Sequence, residues 1–372
     1  MSDPTAPDDA APHGTAPHGT APHDTAPNGT GPNGTAPDPT ASVWDLIRGV
    51  WRFSALAAVV RLEVPQALED GPHTVAELSE RCRARPDMLA RVLRAAAGLG
   101  LLRSVSPGTY ELTESGAVLV PGHPRSLHAG VLTTADPAMM YGLMTLAETV
   151  RAGRQAFADR YGGLYEHLAA DKELAGWFDA FMDARSRPFA KELAERYDFS
   201  GARTIVDVGG GKGHILATIL RAHPQLRGVV FELAHTAPVA RAYLAGRGVG
   251  DRAGVITGDF FSSVPVEADV YLLSNVIHNW DDPEATKIIQ NVLAVLPEGG
   301  RVLFVDMVLP DDDSPHMGKE LDMRMLGVFG AGGERSLSQY TALLREAGLE
   351  VTGVTELALS TSVIEAVRAT PQ

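Results

Sequence analysis

The sequence predicts an α/β protein, a doubly wound seven-stranded sheet preceded by a helical N-terminal region. Three observations predict it. A glycine-rich turn, Gly209-Gly210-Gly211-Lys212-Gly213, joins the apolar run Ile205-Val206-Asp207-Val208 to a helical stretch beginning at Ile215. From Gly201 to Arg368 short apolar runs alternate with segments of helical spacing, the pattern of a mostly parallel sheet covered by helices. Ahead of residue 120 the order is instead helix, turn, helix, hairpin.

Residues 1–41 repeat a five-residue unit, as in Ala11-Pro12-His13-Gly14-Thr15 and Ala16-Pro17-His18-Gly19-Thr20. Alanine is almost the only apolar residue in it, so the segment cannot bury enough surface to offset the entropy of ordering and reads as a disordered tail. His13, His18 and His23 could gather a metal, but a polar tail is the better reading.

Residues 42–120 form the next unit. Trp44, Ile47, Val50, Trp51, Ala55, Ala58 and Val59 recur at helical spacing. Thr74-Val75-Ala76-Glu77 matches a capping box that opens a short helix to Cys82, and Pro86–Leu99 gives another, stopped by Gly100. Leu101–Val105 and Tyr110–Thr113, separated by a Ser-Pro-Gly turn, pair as a hairpin. The layout is that of a winged helix. Nine Arg against nine Asp plus Glu between Ala41 and Val120 leave no basic face for nucleic acid. The Pro86–Leu99 helix carries Met88, Leu89, Val92, Leu93, Ala95, Ala96 and Leu99, apolar on most sides, and reads as a helix meant for burial. With Trp44, Trp51 and Phe53, it predicts a homodimer.

Residues 121–199 read as helical and carry many large flexible or aromatic groups, among them Met139, Met140, Met144, Phe157, Trp177, Phe178, Phe181 and Met182. Most belong to a core. Several methionines beside a ligand-binding domain also suit a pocket for a flat apolar molecule. In residues 200–372 the expected strands are Thr204–Val208, Val229–Glu232, Gly254–Thr257, Val270–Ser274, Arg301–Met307, Glu350–Glu356 and Thr361–Val367.

The glycine turn reads as a ligand cradle, because glycine admits positive φ and close approach while the new helix aims free N–H groups at whatever lies above the strand. A dinucleotide fingerprint would need glycine at position 214, which is His214, and no phosphate-loop pattern occurs. Glu232 ends the second strand about twenty residues on, where an acid accepts ribose hydroxyls. Asp259 and Phe260 end the third, and His278 follows the fourth in Ser274-Asn275-Val276-Ile277-His278-Asn279-Trp280. Ligand groups at the carboxyl ends of consecutive strands are what the crevice rule for open α/β sheets predicts.

In order, Gly209-Gly210-Gly211-Lys212-Gly213, Phe231-Glu232-Leu233, Gly258-Asp259-Phe260-Phe261, Ile277-His278-Asn279-Trp280-Asp281-Asp282, Val305-Asp306-Met307 and Gly332-Gly333-Glu334-Arg335-Ser336 resemble motifs of one family. It is the S-adenosylmethionine (SAM)-dependent O-methyltransferases of plant phenylpropanoids and bacterial aromatic polyketides. Gly153-Arg154-Gln155-Ala156-Phe157 and Tyr161-Gly162 extend the resemblance, which covers about residues 42–370. It implies a SAM-binding catalytic domain behind a winged-helix dimerisation domain. It also implies SAM contacts at Gly209, Gly211, Glu232, Asp259, Phe260 and Ser274, a general base at His278, and flanking carboxylates at Asp306 and Glu334. Glu334 is the expected orienter of the base. The acceptor is expected against Trp177, Phe178, Met182, Asn279 and Met325. No metal is implied. Glu232 replaces the more usual Asp, Asp306 stands where plant members often carry Glu, and Ser274 replaces the plant lysine, a change also seen in the polyketide branch.

Composition is consistent with this. One cysteine, Cys82, excludes an internal disulfide and a cysteine-built zinc site. The formal charge of -14 disfavours nucleic acid and anionic membrane as partners. No apolar run of membrane-spanning length and no signal pattern is present, which predicts a cytoplasmic protein. Three rival readings remain at this stage: a SAM-binding protein with a non-methylating reaction, a winged-helix DNA-binding regulator, and a nicotinamide dehydrogenase.

Overall fold

A computed structural model describes residues 39–370 except Val266, so residues 1–38 of the tail expected to be disordered lie outside the described residues, whereas 39–41 are helical and not part of a disordered tail. The chain divides into two units, the first ending at Trp51 and the second running from Arg52. The helix Pro39–Arg61 opens the described chain, three residues ahead of Ser42.

In the second unit the capping box forms as read. Thr74 Oγ1 accepts from the Glu77 N–H at 3.3 Å, the Glu77 carboxylate accepts from the Thr74 N–H at 2.7 Å, and the helix Val75–Arg81 starts there. Strand β1 (His73–Thr74) pairs with β3 (Thr109–Leu112), which pairs with β2 (Leu102–Ser106), so the hairpin gains a short third strand. The helix Pro86–Gly98 buries Leu89, Leu93 and Ala96 on one face only and leaves Met88 exposed. Within one chain it is amphipathic, and the apolar residues on its other face are left uncovered by this chain.

The large sheet follows: β4 (Thr204–Val208), β5 (Arg227–Glu232), β6 (Ala253–Thr257), β7 (Val270–Ser274), β8 (Arg301–Leu309), β9 (Arg335–Ser336), β10 (Leu349–Glu356) and β11 (Thr361–Arg368). The order is β10-β11-β8-β7-β4-β5-β6, parallel from β8 to β6 and antiparallel at β11 and β10. All seven expected strands occur. The two-residue β9, which no periodicity could reveal, adds itself to the end of β8 through Val308↔Arg335 and Leu309↔Ser336.

Burial on both faces explains why the central strands read as continuous apolar runs. Ile205, Val230, Val270, Leu272, Leu303 and Val305 meet one helical layer, while Val206, Val208, Phe231, Tyr271, Leu273 and Phe304 meet the other. Each such fully buried large side chain stabilises the fold by roughly 1.5–3 kcal/mol. The chain leaves β4 toward β5 on one side and returns to β7 on the other. That switch point opens a crevice at the carboxyl ends of β4 and β7.

Candidate active site

The crevice is lined first by the glycine turn. Gly209, Gly211 and Gly213 all have positive φ, at 68°, 55° and 79°. A Cβ on Gly209 would come within 3.1 Å of Val276 and 3.4 Å of the Phe260 ring, whereas one on Gly211 would meet nothing within 4 Å. The turn therefore packs tightly at its base and is open at its tip. At that tip the Gly211 N–H donates to Glu232 Oε2 at 3.2 Å, and Glu232 Oε1 accepts from the Leu233 N–H at 2.8 Å. Beneath the turn Asp207 is 1 % exposed. Burial, then the neighbouring Glu232 charge, push its carboxyl up to about 7, and neither of its side-chain oxygens has a hydrogen-bond partner among the described residues.

The helix Lys172–Arg196 locks onto this turn. His214, at the position that excluded a dinucleotide fingerprint, meets the Ser186 hydroxyl, and Lys212 forms an ion pair with Asp183. Burial pulls His214 down to about 4, so it is neutral and structural. Asp259 is exposed at the end of β6, where its Oδ1 accepts from the Phe261 N–H at 2.8 Å. Phe260 packs edge-on to Trp280 with centroids 6.0 Å apart.

After Ser274, Asn275 turns through φ 52° and the chain enters a short turn, Ile277–Asn279. This reversal carries His278 into the crevice, 4 % exposed. His278 Nδ1 lies 2.9 Å from Glu334 Oε1 and 3.9 Å from Asp306 Oδ1. Asp306, wholly buried on β8, accepts from the Tyr340 hydroxyl at 2.6 Å instead. Burial pushes Asp306 up to about 6. Burial alone would lower His278, but the Asp306 charge, then the hydrogen bond and charge of Glu334, outweigh it and raise the imidazole above its ordinary 6.5.

The segment supplying Glu334 does more than the sequence revealed. Arg335 donates to the Ile277 carbonyl at 3.1 Å, the Trp280 carbonyl at 2.8 Å and Asp282 Oδ1 at 2.8 Å, so one guanidinium clamps both ends of the histidine turn. Gly332 lies against that turn so closely that a Cβ would fall 2.2 Å from the His278 carbonyl oxygen. Both sit in the Gly-Gly-Glu-Arg-Ser motif. Spacing alone could not give them partners 53 and more residues away.

Residues expected to border the acceptor form an apolar wall. Phe178, Met182, Val328 and Phe329 pack in one cluster, with Phe178 and Phe329 ring centroids 6.1 Å apart. Trp177 turns partly away, onto a second cluster with Val60, Leu119 and Val131. Met325 is buried and opens a π-turn, Met325–Phe329, whose wide hydrogen-bonding ring was not foreseen. Gln155 holds that turn by donating Nε2 to the carbonyls of Met325, Leu326 and Gly330 at 3.2, 3.0 and 3.1 Å. The Asn279 side chain donates to the Asn275 carbonyl at 3.0 Å, bracing the histidine turn.

Two family models match the chain: an O-methyltransferase domain over residues 143–350 and an O-methyltransferase dimerisation domain over residues 44–122. The chain belongs to this O-methyltransferase family. Curated members similar to it include a phenazine O-methyltransferase of Lysobacter antibioticus, 33% identical over 322 residues that cover 86% of this chain and 94% of that one. Another is the aclacinomycin 10-hydroxylase of Streptomyces purpurascens, 36% identical over 326 residues, 84% of this chain and 86% of that one. A solved family structure of similar fold is an O-methyltransferase of neocarzinostatin biosynthesis in complex with SAM and 2-hydroxy-5-methyl naphthoic acid. It is 32% identical with a TM-score of 0.73, covering 85% of this chain and 95% of that one.

Proposed function

We propose that this O-methyltransferase moves a methyl group from SAM to a phenolic hydroxyl of an aromatic natural product, with His278 as general base. The observation that carries this is the buried imidazole hydrogen-bonded to Glu334 at 2.9 Å beside the glycine cradle. A carboxylate partner makes Nδ1 the protonated nitrogen, which leaves Nε2 with its lone pair for a substrate proton.

The residues present fit SAM. The open tip of the turn and the strand-end carboxylate would receive the ribose at Gly209, Gly211 and Glu232. Asp259 and Phe260 would flank the adenine, and Ser274 would face the methionine end. Bound there, SAM would supply an electrophilic methyl group on a positively charged sulfur. His278 would hold the acceptor oxygen in line and take its proton. Glu334 fixes the ring and stabilises the imidazolium, with Asp306 adding charge at longer range. Such a base is worth on the order of 10² to 10⁴ in rate, and alignment can contribute more. Met182, Phe178, Met325 and Asn279 would border the acceptor, with Trp177 behind them.

The dimerisation-domain match and the exposed Met88 and Leu99 support a homodimer. No described helix is long and apolar enough to cross a membrane. We read the protein as cytoplasmic and its partners as small molecules, without nucleic acid, on the acidic charge. One relative's name, a hydroxylase, favours a second reading: a non-methylating tailoring reaction in the same site. Mass spectrometry of SAM-dependent products from a panel of hydroxylated naphthalenes, phenazines and polycyclic polyketides separates the two. Gain of one methylene unit supports transfer; gain of oxygen without it supports the alternative.

A further inference from the structure

We propose that Arg185 and Arg324 form a binding site for a carboxylate carried on the aromatic acceptor, so that the preferred substrates are hydroxylated aromatic acids. The inference rests on the O-methyltransferase reading and names its substrate class.

Arg185 lies on the helix Lys172–Arg196, four residues after Phe181 and seven after Phe178, so the three share a face. Its charge is felt at His278, Glu334 and Asp306. Arg324 closes the helix Met317–Arg324 directly before the π-turn. Its guanidinium carbon stands 5.4 Å from the Phe181 ring centroid and 5.1 Å from that of Phe329. The two guanidiniums are close enough for Arg185 to add to the burial that pulls Arg324 down to about 10. Arg324 therefore remains cationic at neutral pH, as arginine side chains in proteins generally do.

Neither has an ion pair or a hydrogen bond among the described residues, and Arg324 Nη2 is sealed from solvent without a partner. An unpaired buried charged donor such as Arg324 Nη2 is costly, and the Arg185 charge adds repulsion to that cost. The charges of Glu334 and Asp306 favour the Arg185 cation, but neither acid forms an ion pair with either guanidinium among the described residues. Glu334 commits Oε1 to His278, and Asp306 commits Oδ2 to Tyr340. A planar carboxylate matches the guanidinium fork, and the aromatic rings that flank Arg324 suit the aryl group bearing it. The acceptor would then be held at two points, its acid at Arg324 and its hydroxyl at His278.

The test uses the purified enzyme with SAM and three matched acceptors: a hydroxynaphthoic acid, its methyl ester and its carboxamide. The acid should exceed the neutral pair in kcat/KM by on the order of tenfold or more, and Arg324→Gln should bring that ratio toward unity, with Arg324→Lys restoring part of it. Equal use of acid and ester by the wild type overturns the proposal. So does an Arg324→Gln variant that weakens SAM binding while keeping the ratio, because the guanidinium then serves the cofactor's own carboxylate. Melting curves establish that the variants fold, and Arg185→Gln provides a second arm should Arg324→Gln not. If no acceptor turns over, the methyl-transfer reading fails by itself. Calorimetric binding of 1-naphthoate against 1-naphthamide to the enzyme loaded with S-adenosylhomocysteine still reads the site, and equal affinities overturn it.

Discussion

His278 and Glu334, separated by 56 residues in the chain, meet through a 2.9 Å hydrogen bond buried from solvent. The contact needs three further features: the reversal at Asn275, the clamp of Arg335 across the histidine turn, and the missing Cβ of Gly332. An imidazole held this way has a fixed tautomer and a raised pKa, and both can be measured.

His278→Ala should fold, bind SAM nearly normally and lose on the order of 10² or more in kcat. Near-normal turnover would remove the base role. Loss of SAM affinity would make His278 structural. Wild-type kcat should rise with pH through a midpoint above the ordinary 6.5, since the neutral imidazole is the active form. Glu334→Gln keeps an acceptor for Nδ1 but removes the charge, so its midpoint should move down. The linked stability runs the other way: the imidazolium's contribution is complete below about 6.5 and disappears as pH rises through the raised native value.

Glu232→Ala should weaken SAM binding by about 1.5–3 kcal/mol, through loss of hydrogen bonds to a charged acceptor. Calorimetry on the folded variant decides it, and an unchanged dissociation constant would move the ribose elsewhere.

Gly332→Ala should destabilise the protein by about 3 kcal/mol or more, because the new Cβ would meet backbone on both His278 and Asn279, at 2.2 and 2.3 Å. Gly330→Ala, where φ is 128° but no atom lies within 4 Å, tests conformational strain alone. Denaturant midpoints should rank the two, and equal losses would show that the loops can separate freely.

Asp207 retains a proton to about pH 7 in the native state, against 3.8 unfolded. Its contribution is therefore full below about 3.8 and fades as pH rises through 7, by up to about 1.4 kcal/mol per pH unit. Asp207→Asn keeps the neutral form, so it should gain on the wild type between pH 5 and pH 8 in urea titrations. A constant difference would mean that Asp207 is ionised throughout.

The sheet was legible because its strands are buried on both faces, which writes them as apolar runs, and because glycines and acids fall at strand ends. The capping box at Thr74 was legible because it is entirely local. What was not legible is whatever depends on tertiary neighbours: β9 has two residues, the π-turn has no composition of its own, and the clamp of Arg335 exists only once β8 and the histidine turn are adjacent. The one-sided burial of Pro86–Gly98 differs for a related reason. Apolar composition gives the amount of surface to be covered without saying by which chain.

Gln155 has a practical consequence for redirecting the enzyme. It props the turn Met325–Phe329 through three main-chain carbonyls, so the wall keeps its course without relying on the side chains that line it. A combinatorial library at Phe178, Met182 and Phe329 can therefore recontour the proposed acceptor wall on an unchanged frame. Gln155 itself should be held constant in every clone.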